Sequence, residues 1–195
     1  NAGTTIKVTV SAAASTNYTA ASAVYTLTIT KANISPTVSM TGYTYAGTKT
    51  NPSVSGNTGK GTVTYYYSTS NTNTGGIEWS KVTSSTSLNA GTYYMYAVIG
   101  ATTNYNGKTT AASSFTISQA TGTVTLTPNS GSVAYGTGST TFKATTNSGT
   151  LSVTDDHGTA TVSISNGTVT ISTLSALNAG TTIKVTVSAA ASTNY

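Results

Sequence analysis

The sequence lacks cysteine and arginine, and its acids number only three: Glu78, Asp155 and Asp156. Without cysteine there is no disulfide framework, thiolate metal site or thiol nucleophile. Charged residues make up 6% of the 195, against roughly 25% in an average soluble domain. Three carboxylates fall short of the sets used by aspartic proteases, glycosidases and phosphoryl-transfer enzymes. A Ser–His–Asp hydrolase would rest on the single histidine, His157, and no GxSxG turn presents a serine to it. No enzyme activity and no cofactor are expected. No apolar run reaches the roughly 18 residues of a membrane helix, and the first residues do not follow the signal-peptide pattern. The net charge of +5 comes from eight lysines. They are scattered, and arginine, the main base reader, is missing, so no nucleic-acid partner is expected.

What is present is alternation. Segments such as TTIKVTV, YTLTIT, ATVSI and TVTIS alternate apolar residues with Thr or Ser, the period of a half-buried strand. Val, Ile, Thr and Tyr favour the pleated backbone, and Gly, Asn, Asp and Pro punctuate the runs. The pattern predicts an all-β chain. Strands are expected near 22–30, 36–40, 51–54, 61–68, 77–82, 91–100 and 112–118. A second series is expected near 122–127, 132–135, 140–146, 150–154, 159–164, 168–173 and 180–188.

Residues 1–18, NAGTTIKVTVSAAASTNY, recur letter for letter as residues 178–195, an offset of 177. Weaker matches lie inside that period. Leu88-Asn89-Ala90-Gly91-Thr92 matches Leu177-Asn178-Ala179-Gly180-Thr181, Asn104-Tyr105 matches Asn17-Tyr18, and TLTITKA (26–32) matches SFTISQA (114–120). The reading is a 177-residue unit of two diverged domains, each near the size of a seven-strand sandwich. Residues 1–32 are then the closing strands of a preceding domain, 33–119 a complete domain, and 120–195 a domain lacking its last strand. The hinges KANISP (31–36) and SQATGT (118–123) are short.

The segment TDDHGTATVSISNGTVT (154–170) resembles the middle of bacterial immunoglobulin-like (Big-type) domains. The stretch GTTIKVTVSAAASTNYTAASAVYTLTI (3–29) is similar to their closing hairpin. TGYTYAG (41–47), GTVTYYY (61–67), a strand centred on Trp79, NAGTYYMYA (89–97) and TNYNGKTTAASSFTI (103–117) resemble another such repeat. The resemblance implies tandem immunoglobulin-like antiparallel β-sandwiches, of the kind that form stalks in adhesins on the bacterial cell surface. It also implies an extracellular location and neighbouring copies of the same repeat as partners. Such modules often carry Lys–Asn isopeptide bonds beside a buried carboxylate, for which only Glu78, Asp155 and Asp156 are available.

Three sets of residues are candidate sites. Asp155, Asp156 and His157 could ligate a metal; the same Asp-Asp-His-Gly run is also a turn sequence, and calcium wants six to eight oxygens. No metal is expected. Tyr65, Tyr67, Tyr94 and Tyr96 could stack on host or surface glycans, or supply core bulk in a chain with two Phe and one Trp. Ala23, Tyr25, Leu27 and Ile29 share one face of a strand whose counterpart at the other end of the chain is absent, so strand donation between copies is a further expectation. The packing residues are expected to be Trp79, Tyr43, Val63, Val98, Ile117, Val162, Val169, Ile183 and Val185. The functional expectation is a stalk or spacer segment. A carbohydrate- or host-ligand-binding immunoglobulin-like module and a self-assembling filament subunit joined by strand donation are the alternatives.

Overall fold

A computed structural model describes residues Asn1–Tyr195. The chain is all-β, with two single 3-10 turns. It divides into two compact units. The first holds Asn1–Tyr43, Thr48–Ser87 and Gly91–Ile117; the second holds Thr44–Gly47, Leu88–Ala90 and Ser118–Tyr195.

The first unit begins with a hairpin of β1 (Thr5–Ala12) and β2 (Ala21–Thr28), paired from Thr5 opposite Thr28 to Ala12 opposite Ala21. Two short strands follow as a pair, β3 (Thr37–Ser39) and β5 (Ser53–Ser55), with Val38 opposite Val54. The Thr37 and Ser55 hydroxyls meet at 2.7 Å and those of Ser39 and Ser53 at 3.0 Å. The larger sheet runs β4 (Tyr43–Thr44), β10 (Ser113–Ser118), β8 (Gly91–Ile99), β6 (Val63–Ser68), β7 (Ile77–Glu78), and β9 (Lys108–Thr109) pairs with the end of β8. Alternation turns Met95, Ala97 and Ile99 of β8 and Phe115 and Ile117 of β10 inward, where they are buried with Val38 and Ile34. Trp79 meets Phe115 edge to face at 5.8 Å and Tyr67 at 6.0 Å, and Tyr93 stacks on Phe115 at 5.7 Å. The Lys49 ammonium sits 4.7 Å from the Trp79 ring, a cation–π contact on the indole.

The second unit contains a four-stranded sheet in the order β11 (Val124–Thr127), β12 (Ser139–Thr146), β15 (Thr168–Ser172), β14 (Thr161–Ser165). A separate pair joins β13 (Leu151–Asp155) to β16 (Val185–Ala189), with Val153 opposite Val187. The β14–β15 hairpin turns on Asn166-Gly167, both at positive φ (46° and 70°), as a two-residue primed turn requires. Ala144, Ala160, Val169 and Leu174 are buried.

Four expectations are corrected. Residues 132–135 form no strand; the short Val133-Ala134-Tyr135 run between glycines gains no ladder partner, and Thr137 N–H closes a turn on the Ala134 carbonyl. Trp79 is not the centre of a strand: β7 stops at Glu78 and Trp79 opens a 3-10 turn, which drops the indole into the core. The last strand starts at Val185 rather than near 180. Val98 lies on the outer face of β8 and is 38% exposed, because alternation turns it away from Ala97 and Ile99. The short strands β4 and β9 were not expected; two residues carry too little pattern to be read.

Candidate functional site: an open edge and an apolar trough

In the second unit β16 has a strand neighbour on one side only, β13. Beside that edge lies an open trough of about 580 Å³, lined among others by Leu126, Phe142, Ile171, Leu174, Ile183 and Val185. Residues 182–189, which end in β16, repeat β1 letter for letter: Ile183, just before β16, and Val185 and Val187 within it correspond to Ile6, Val8 and Val10. In the hairpin those three sit opposite Leu27, Tyr25 and Ala23 of β2. The same register on β16 would set a β2-like strand along the open edge, with Leu27 beside Ile183 and Tyr25 beside Val185.

The proposed donor residues are uncovered. Tyr25 is 65% exposed, Leu27 41% and Ile29 40%, and Ile6, Val8 and Val10 of the same face are exposed with them. Ala23 is exposed as well. The corresponding positions of β10 behave differently. The match of 26–32 with 114–120 puts Leu27 at Phe115 and Ile29 at Ile117, which are 4% and 1% exposed. One strand pattern is therefore core in β10 and bare in β2. The trough-lining Leu126, Phe142 and Leu174 were not singled out from sequence. Alternation in β11 and β12 marks Leu126 and Phe142 as inward, but nothing in the pattern says that they line a cavity.

The other candidates fall elsewhere. Asp155 Oδ1 accepts the backbone N–H groups of His157 (3.0 Å) and Gly158 (2.9 Å), and Asp156 Oδ1 accepts the N–H of Lys184 (2.8 Å). The three residues thus make a closed turn. The amides of Gly158 and then His157 hold the Asp155 carboxyl below its ordinary value. A group depressed in the folded state stabilises above its unfolded pKa and loses that contribution as the pH falls through the folded value. A carbon-detected NMR titration is expected to place the Asp155 midpoint below the ordinary value of about 3.9; a midpoint at or above it would refute the turn. Glu78 is exposed, and its carboxylate accepts the Ser80 hydroxyl at 2.7 Å.

The four candidate tyrosines divide between two faces. Tyr65 sits opposite Ala97 and Tyr67 opposite Met95, so both point to the core side of β6. Tyr94 and Tyr96 lie on the other side, where Tyr66 stacks on Tyr96 at 5.3 Å. Tyr96 is buried, and its hydroxyl oxygen accepts the Gly76 N–H at 2.9 Å. Tyr43 is also buried, and burial pushes its hydroxyl pKa up. No helix is long and apolar enough to cross a membrane.

No protein-family model matches the chain, and no curated protein and no solved structure matches it.

Proposed function

We propose that this chain is a structural repeat segment, a stalk or spacer in which Big-type immunoglobulin-like sandwiches follow one another in a bacterial surface adhesin or extracellular fibre. One observation carries the reading. The eighteen-residue sequence that occurs twice is paired to β2 in one copy and to β13 in the other, and these are complementary edges of one strand. Superposed, they give the continuous ladder β13–β16–β2 of a finished sandwich. Repeat arrays of this kind are stabilised by each module and its neighbours, and hydroxyl-rich surfaces without cysteine suit a spacer that works outside the cell. The test is mechanical. A tandem array of 177-residue units, stretched singly, is expected to give regular unfolding peaks, two per unit; a featureless flexible-chain response would overturn the reading.

The trough and the bare hairpin favour a second reading, strand donation between copies. An unpaired edge with an apolar floor accepts a matching strand from another molecule. Ala23, Tyr25, Leu27 and Ile29 are the donor residues in this reading.

A further inference from the structure

The two units hold the same hydrogen-bond pattern at two places far apart in sequence. In the first unit the side-chain oxygen of Asn104 accepts the N–H of Ala2 at 2.8 Å, and its amide group donates to Asn1 Oδ1 at 3.4 Å. The Asn104 backbone carbonyl accepts the N–H of Ala32 at 2.9 Å, and Lys31 Nζ donates to the Thr102 carbonyl at 2.7 Å. In the second unit the side-chain oxygen of Asn194 accepts the N–H of Ala90 at 2.8 Å, and its amide group donates to Asn89 Oδ1 at 3.0 Å. The Asn194 carbonyl accepts the N–H of Ala120 at 2.8 Å, and Gln119 Nε2 donates to the Ser192 carbonyl at 2.7 Å. Four bonds recur one for one, with Gln119 standing where the other site has Lys31.

Both sites are built from the same parts. One part is a loop, Ala101-Thr102-Thr103-Asn104-Tyr105 or Ala191-Ser192-Thr193-Asn194-Tyr195. Each loop is closed on itself, by Thr102 N–H to the Tyr105 carbonyl (2.9 Å) or Ser192 N–H to the Tyr195 carbonyl (2.7 Å). The other part is a receptor of two segments: an Asn-Ala-Gly turn (from Asn1 or Asn89) and a Lys-Ala or Gln-Ala pair (31–32 or 119–120). The turn precedes β1 or opens β8, and the pair follows β2 or β10. In the numbering of the repeats, the receptor belongs to one repeat and the loop to the next.

We propose that Asn104 and Asn194 form a recurring clasp by which each repeat recognises the one before it, and that the partner this loop fits is an Asn-Ala-Gly turn beside an X-Ala segment. An asparagine suits the task because one side chain supplies both an acceptor and a donor. The clasp takes the carbonyl for the alanine amide and the NH₂ for the facing asparagine. A third loop of the same sequence, Ala14-Ser15-Thr16-Asn17-Tyr18, has the same closure, Ser15 N–H to the Tyr18 carbonyl at 2.9 Å. It is exposed at the free end of the β1–β2 hairpin and presents an unused clasp half. The proposal rests on reading the chain as consecutive repeats, but its bonds are testable without any array.

The test is amide hydrogen exchange by NMR on the 195-residue chain. N194A is expected to speed exchange of the Ala90 amide by roughly tenfold, the scale of one lost hydrogen bond, while leaving Ala2 unchanged. N104A should do the reverse. N194D keeps the acceptor and should retain Ala90 protection, and N17A should leave both amides alone. The proposal fails if Ala2 and Ala90 exchange at unprotected rates in the parent chain, or if neither alanine substitution changes them. It also fails if either substitution speeds exchange throughout the chain, which would mark a general role in folding. A force curve without peaks would defeat the stalk reading and leave these exchange results standing.

Discussion

A chain lengthened at its end by fourteen residues with the sequence of 19–32 is expected to melt markedly higher in its second unit. The added strand would pair with β16 in the register that β2 already holds with β1, and its counterparts of Tyr25, Leu27 and Ile29 would cover the trough. Burying two aliphatic side chains of that size contributes roughly 3–6 kcal/mol. In a domain of this size about 1 kcal/mol moves the midpoint by roughly 4–8 °C, so a rise of at least about 10 °C is expected. Calorimetry would resolve it. Aspartate at the counterparts of Leu27 and Ile29 should remove the gain. The same extension should suppress any concentration-dependent association seen by light scattering, because the edge that another copy would use is then filled. An unchanged midpoint would mean that the trough is not the seat of a β2-like strand.

The second large effect lies in the first unit. Trp79→Ala is expected to destabilise that unit by about 3–5 kcal/mol, the usual range for emptying a buried aromatic site. The indole is 6% exposed and stands against Phe115, Tyr67 and the Lys49 ammonium. Trp79→Phe should recover part of the loss, since it keeps an edge for the neighbouring rings but leaves a cavity. Trp79 is the only tryptophan, so urea unfolding of the parent followed by its fluorescence reports the first unit alone. Tyrosine circular dichroism can follow the variants. A loss under about 1 kcal/mol would show that the aromatic cluster is not the core of that unit.

Alternation made most strands legible, because a residue in a pleated strand faces in or out by position alone. It failed where a strand depends on its partner rather than on its own residues. Thr182, Ile183 and Lys184 carry the same letters as Thr5, Ile6 and Lys7, yet only the latter three are strand. The difference is β2, which pairs with Thr5–Lys7 and has no counterpart beside 182–184. Trp79 was read as a strand centre because aromatics favour strands; the structure instead uses a turn to swing a large ring inward. The donor face of β2 was legible as Ala23, Tyr25, Leu27 and Ile29, but the trough was not, since a cavity is a relation among distant segments. The clasp was visible only as a stray Asn-Tyr match. Its partners lie between 71 and 105 residues away in the chain, beyond the reach of any local pattern.

The β1–β2 hairpin has its receptor segments, Asn1-Ala2 and Lys31-Ala32, at one end and its loop, Ala14–Tyr18, at the other. If the clasp joins one repeat to the next, the contact is heterologous: a patch on one module meets a different patch on the following one. Two modules so joined would not satisfy each other as a symmetric pair does, and an array that does not close into a ring would keep one free loop and one free receptor at its ends. An array built on such clasps would have a direction, with receptors facing one way along it and loops the other.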